Sequence, residues 1–175
     1  MKPFLNFPID DEELQKVEYR LRIDRSIQRY LLIRRFCYGH VLDFGSGSGF
    51  GTKLIQQSPD VTSVRSYDIE NGTEQAIWTD TFDTIVLMEV LEHLERPQSV
   101  IEQLQGYNIL VSFPDKKTTH FNPYHKHDLT TSSVVNLFLE HVLYHKMQFF
   151  DSTVLCLIKK PSSMPHHIVR NLHEL

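Results

Sequence analysis

Apolar positions recur at two different periods along this chain, and the switches between them outline its elements. Leu14, Val17, Leu21, Ile27 and Leu31 fall at helical spacing, so the reading places a helix over about 10–36 with that face inward. Asp10 with Glu13 three residues on has the form of a capping box at its start. Short apolar runs then suggest strands from Val41 to the acid Asp43, at Val61–Tyr67, Phe82–Met88 and Tyr107–Phe113, with a minimal strand at Ala76–Thr79. The Phe82–Met88 run is almost continuously apolar, as suits a parallel strand covered on both faces. Pro97 opens a helix carrying Val100, Ile101 and Leu104, and another follows Thr130 with Val134, Val135, Leu137 and Phe138 inward. His141–Phe150 and Thr153–Lys159 read as an antiparallel pair, and a polar tail covers 161–175. Alternating strands and helices agree with an α/β domain.

Chemistry enters at the first strand. Asp43 ends it, and glycines occupy 45, 47, 49 and 51 before a helical pattern resumes at Leu54. Such a turn lets a ligand lie against bare main chain at a helix start. The dinucleotide pattern G-x-G-x-x-G needs glycine at 50 or 52, where Phe50 and Thr52 stand, so a nicotinamide oxidoreductase is disfavoured. The phosphate-loop pattern fails as well, since Lys53 lies between Thr52 and Leu54. The acid-x-Gly-x-Gly-x-Gly that remains resembles the first motif of class I S-adenosylmethionine-dependent methyltransferases. Asp68 follows Asp43 by 25 residues, near where a nucleotide-binding unit places its ribose acid.

Two later stretches extend the likeness. "FDTIVLMEVLEHLERP" resembles the fourth-strand segment of small-molecule methyltransferases, and "FNPYHKHDLT" resembles an Asn-Pro-x-His segment of the same family. The resemblance covers roughly Arg29 to Lys160. The resemblance implies one α/β domain over 1–175, with a Rossmann-like, largely parallel sheet, helices on both faces and a closing antiparallel strand pair. It implies S-adenosyl-L-methionine as cofactor. Asp43, Gly45, Ser46, Gly47 and Gly49 would face its methionine part, Asp68 and Ile69 the ribose, and Met88 with Glu89 the sulfonium. One departure stands out: only 71–81 separates Glu70 from the Phe82 strand, where relatives fit a further strand and an adenine-contacting acid. Asp80 and Trp78 are the candidates left for adenine, Trp78 being as suited to the core.

The expected reaction is methyl transfer to a hydroxyl or amine of a small molecule, of sugar, lipid or phosphorylated type. A cofactor-binding, non-catalytic subunit acting through a protein partner is the alternative. His125 is the expected base, with Tyr124 and Asn122 orienting the acceptor and His93 as second choice; His125 fixing the loop is the structural alternative. Lys116, Lys117 and Lys126 offer charge for an anionic acceptor. The arginines at 20, 22, 25, 29, 34 and 35 read mainly as a solvated face, with Arg29-Tyr30 approaching the cofactor as the sharper reading. Glu89, Glu92, His93 and a later histidine resemble, in spacing alone, the metal ligands of small-RNA 2′-O-methyltransferases. The same Leu-Glu-His occurs in metal-free relatives, and the metal-free reading is preferred.

Bulk properties narrow the setting. The 175 residues are 41% apolar and 23% charged, ordinary for one globular domain. The net charge of −4 supplies no general attraction to nucleic acid. Cys37 and Cys156 have no metal or redox spacing, and no signal peptide or membrane span is evident, so the expected location is cytoplasmic. Oligomeric state is left open.

Overall fold

The computed structural model describes residues 11–68, 75–159 and 165–173. The Asp10 cap, the Leu14 and Val17 side chains and Ile69 fall outside that description. Among the described residues, six strands form one sheet in the order β2-β1-β3-β4-β6-β5. These are β1 (Gly39–Phe44), β2 (Val61–Tyr67), β3 (Thr81–Met88), β4 (Gln105–Pro114), β5 (Val142–Phe149) and β6 (Ser152–Ile158). The first four run parallel, whereas β6 pairs antiparallel with both β4 and β5. The expected α/β architecture with its closing antiparallel pair is therefore the one observed.

Alternation along the strands divides the core between two faces. Leu42, Ile85, Leu87, Ile109, Val111, Leu155 and Leu157 enter one cluster with Val134 and Phe138. Their neighbours Val41, Val86, Met88, Leu110, Val154, Cys156 and Ile158 enter the other with Tyr30, Ile33 and Ile55. Helices α1 (Asp11–Ile33), α2 (Phe50–Gln56) and α5 (His166–His173) thus share a face. On the opposite face lie α3 (Pro97–Ile101) and α4 (Thr131–Leu137), the latter capped by Thr130, whose hydroxyl accepts from Ser133 N at 3.1 Å.

Three expectations change. Helix α1 does not bury the Leu21–Leu31 stripe: those two are 50% and 41% exposed, while Arg29, Tyr30 and Ile33 are buried. Polar partners decide the rotation, because Tyr30 Oη donates to Asp43 Oδ1 at 2.9 Å and Arg29 Nη2 donates to Ser152 Oγ at 3.3 Å. Where a minimal strand was expected, Gln75–Trp78 form a 3-10 turn. Within the expected polar tail, α5 buries Ile168 completely, and His167 Nε2 lies 2.8 Å from Asp60 Oδ1.

Gly51 shows why α1 can close over the glycine turn. A Cβ placed there would meet Tyr30 Cζ at 2.3 Å. Gly51→Ala is therefore expected to destabilise the protein by about 1–3 kcal/mol, the usual cost of overpacking. Gly47→Ala is the comparison, since no atom lies near its Cβ position but its φ is +52°. Chemical denaturation of both variants checks this, and a Gly51→Ala stability equal to wild type would contradict the packing.

Candidate functional site

The sheet order reverses between β1 and β3, and parallel α/β sheets open a crevice outside the strand ends at such a point. Here it holds a cavity of about 840 Å³ lined by residues following three strands: Gly45 and Gly47 after β1, Asp68 after β2, and Glu89 and Val90 after β3. The turn after β1 is drawn onto β2, with Gly45 N and Ser46 N both donating to Tyr67 O, at 2.7 and 3.0 Å. Gly47 N donates to Asp68 Oδ2 at 2.8 Å, so the glycine turn and the strand-end acid form one unit. Gly45 has φ +79°, and a Cβ there would strike Val90 Cγ2 at 2.4 Å; only glycine suits the position. Phe44 lines the cavity and packs on Tyr67 and Trp78, with ring centroids at 4.9 and 6.0 Å.

Asp43 has a different place. It is fully buried, with Oδ1 accepting from Tyr30 and Oδ2 from Thr52 Oγ1 at 2.7 Å. Burial pushes its carboxyl upward, and the Thr52 and Tyr30 hydrogen bonds oppose that shift. Its observed work is to tie β1 to α1 and α2. Ser46 is nearly buried in the turn, Gly49 caps α2 with φ +77°, and Met88 packs in the core. Asp80 pairs with Arg65 at 2.6 Å.

A second cavity of about 620 Å³ adjoins the first. Asn122, Tyr124 and His125 line it together with Arg22, Arg25, Arg29, Lys116 and Phe121. The expected acceptor residues are thereby brought together, beside a buried arginine that the sequence reading placed mainly on a solvated face. The loop that carries them is latched onto the segment after β3. Lys126 N donates to Glu92 O at 2.7 Å, His93 Nδ1 lies 3.0 Å from Tyr124 O, and His127 Nε2 lies 2.9 Å from Leu94 O. Asp128 accepts from Thr118 N and Thr119 N at 2.7 and 3.0 Å, and these donors hold its carboxyl below the usual range.

Glu89 and His93 line both cavities. Glu89 takes a left-handed backbone, φ +56°, which costs a non-glycine residue roughly 1–2 kcal/mol. Ser112 holds it there: Glu89 N donates to Ser112 Oγ at 3.0 Å, and Ser112 Oγ donates back to Glu89 Oε1 at 2.7 Å. Arg29 Nη2 stands 3.8 Å from the same carboxylate oxygen. The next acid, Glu92, is 1% exposed, and burial followed by the charge of Glu89 lifts its carboxyl to about 8. His93 and His125 meet edge to face, with ring centroids 4.7 Å apart. Burial and the neighbouring His93 lower the His125 pKa, favouring the neutral ring.

A Rossmann-like sheet whose glycine turn, second-strand acid and third-strand exit enclose one cavity is the arrangement of a nucleotide-cofactor-binding class. The chain belongs to the methyltransferase-domain family, whose model matches residues 15–107. It is an S-adenosylmethionine-dependent methyltransferase. No curated protein matches the sequence significantly. A methyltransferase-fold protein of Sulfolobus solfataricus, described as type 11, is 18% identical, with 74% of this chain and 88% of that one covered at TM-score 0.58. An S-adenosylmethionine-dependent methyltransferase from Archaeoglobus fulgidus is 12% identical, covering 86% and 100% at TM-score 0.60. An O-methyltransferase family protein from Burkholderia thailandensis is 10% identical, covering 86% and 60% at TM-score 0.62. At these identities the likeness concerns the fold. No described helix is long and apolar enough to cross a membrane.

Proposed function

We propose that the protein methylates a hydroxyl or amine of a small anionic molecule. The carrying observation is that Glu89 and His93 line both cavities, so a donor in one and an acceptor in the other meet there. In this reading Gly45 and Gly47 lie along the methionine part of the cofactor and Asp68 accepts from the ribose hydroxyls. Asp43 holds the turn's foundation instead of touching the ligand. The aromatic group of Phe44, Tyr67 and Trp78 backs the cavity as an apolar surface for adenine.

Charge and size support the acceptor class. Arg22, Arg25, Arg29 and Lys116 face two carboxylates, Glu89 and Asp151, leaving the second cavity cationic within a chain of net charge −4. Phe121 and Tyr124, 60% and 74% exposed, offer aromatic rim surface. Its volume of about 620 Å³ suits a metabolite.

The acceptor oxygen or nitrogen attacks the methyl carbon, that carbon's bond to sulfur breaks, and the sulfur keeps the electron pair as a neutral thioether. The cofactor is already activated, so the protein contributes chiefly position. His125 takes the acceptor's proton: Thr118 Oγ1, 2.6 Å from its Nδ1, occupies one nitrogen and leaves Nε2 for this task.

Transfer of isotopic methyl from S-adenosylmethionine to phosphorylated and carboxylated metabolite fractions, with neutral metabolites and RNA in parallel, tests the reading. Label entering RNA or neutral acceptors alone would reject the anionic small-molecule assignment. Asp68→Ala is expected to weaken cofactor binding about 10–100-fold, the loss of hydrogen bonds to a charged group. Asp60→Asn, at the far end of β2 beside α5, leaves it unchanged. Calorimetry measures both, and equal affinities would remove Asp68 from the cofactor site.

A further inference from the structure

The geometry points to a divalent-cation site formed by Glu92, His93 and His125. One donor atom from each lies within 4.8 Å of the other two. Proximity alone would carry little. The decisive feature is Glu92, 1% exposed, whose Oε1 and Oε2 both lack a hydrogen-bond partner. Buried carboxylates are normally hydrogen-bonded, ion-paired or metal-bound, and this one faces two imidazoles with both oxygens unspent. Neighbouring Glu89 does not share that condition, because Ser112 and Arg29 engage it.

The two histidines are arranged as ligands usually are. His93 Nδ1 lies against Tyr124 O at 3.0 Å, and His125 Nδ1 against Thr118 Oγ1 at 2.6 Å. An outer partner on one ring nitrogen orients the ring and leaves the lone pair of the other, here Nε2, for a metal. The backbone beneath is stapled too, by Lys126 N on Glu92 O at 2.7 Å. Donors on an ion with bonds of about 2.1 Å sit roughly 3.4 Å apart, so the side chains must draw inward. His93 is exposed and has room to turn.

Two imidazoles and one carboxylate favour a first-row transition ion such as Zn²⁺, Co²⁺ or Mn²⁺ over Mg²⁺ or Ca²⁺. Three protein donors leave a coordination position for water or an acceptor oxygen. The site departs from the metal-free reading of the sequence, and it changes what His125 does: its Nε2 binds the ion instead of taking the acceptor's proton. That role rests on the proposed methyl-transfer reading; the existence of the site does not.

The test uses untagged full-length protein stripped with chelator and dialysed. Titration calorimetry with Zn²⁺, and visible absorption with Co²⁺, are expected to show one ion per chain, with Mg²⁺ at least tenfold weaker. Glu92→Gln and His93→Ala each weaken binding at least tenfold, whereas His120→Ala, outside the cluster, does not. Circular dichroism and S-adenosylmethionine titration on the same samples report folding and the cofactor site. Folded Glu92→Gln protein that binds Co²⁺ with wild-type affinity and spectrum overturns the proposal, as does wild-type protein binding no ion. Wild-type protein that binds S-adenosylmethionine but no ion rejects the metal site alone. Failure of cofactor binding with the ion held rejects only the methyltransferase assignment of the cavities.

Discussion

His125→Ala is expected to lower turnover by about 10²–10⁴-fold, the range of a lost general base, while affinity for S-adenosylmethionine stays unchanged. The split follows from position: His125 lines the second cavity and not the first. The same loss arises if the residue acts as an ion ligand, so the rate measurement establishes the site and metal titration separates the roles. Two neighbours calibrate the result. Asn122 Oδ1 accepts from Tyr124 N at 3.1 Å, shaping the turn, so Asn122→Ala should raise KM more than it lowers kcat. Tyr124 is 74% exposed, and Tyr124→Phe should leave kcat within a few-fold. Single-turnover rates with calorimetric cofactor affinities provide the measurement. Near-normal turnover in His125→Ala would exclude it from the reaction.

Glu89→Gly is the second variant, expected to cost about 10²–10³ in kcat/KM, as for a lost preorganised electrostatic contact. Its interest lies in separating function from stability. Glu89 holds φ +56°, a conformation glycine adopts freely, so removing the side chain also removes backbone strain. Glu89→Gly and Glu89→Ala both lose the Ser112 side-chain bond, but the first sheds the strain and the second keeps it. The Glu89→Gly protein is therefore expected to melt above Glu89→Ala, while both are nearly inactive. Arg29, 3.8 Å from the same carboxylate, loses its ion partner in both variants. An active Glu89→Gly enzyme would show that the strained carboxylate serves the fold alone.

Much of the sheet was legible because a strand buried on both faces can only be apolar. Val61–Tyr67 is observed at the expected bounds, and β3 and β4 extend past theirs by at most two residues at either end. Pro97 opens α3 as its fixed φ and missing N–H dictate. Ala76–Thr79 was misread because a short apolar run of this length has no period of its own, and packing against Phe44 and Tyr67 decides its form. The face of α1 was misread for a related reason. Hydrophobicity selected Leu21 and Leu31, but buried hydrogen-bond partners for Tyr30 and Arg29 outweighed the greater apolar character of the other stripe.

The site divides in the same way. Local rules are enough for the glycine turn, since a positive φ at Gly45 favours glycine, and the acid one strand later falls at the spacing that a strand-helix-strand unit sets. Those features are written in spacing, and with the segment after β3 they made the family recognisable from sequence. Tertiary structure alone decided which polar atoms share a cavity. Ser152 pairs across from Pro114 and meets Arg29 of the first helix, far away in sequence. Tyr30 and Thr52 engage both oxygens of Asp43, an acid that the family resemblance set against the cofactor. Glu92 is left buried with both oxygens unspent beside His93 and His125, a condition that no spacing states. Sequence spacing encodes backbone direction and periodicity, whereas the chemistry of a carboxylate depends on which donors the finished packing brings within 3 Å of it.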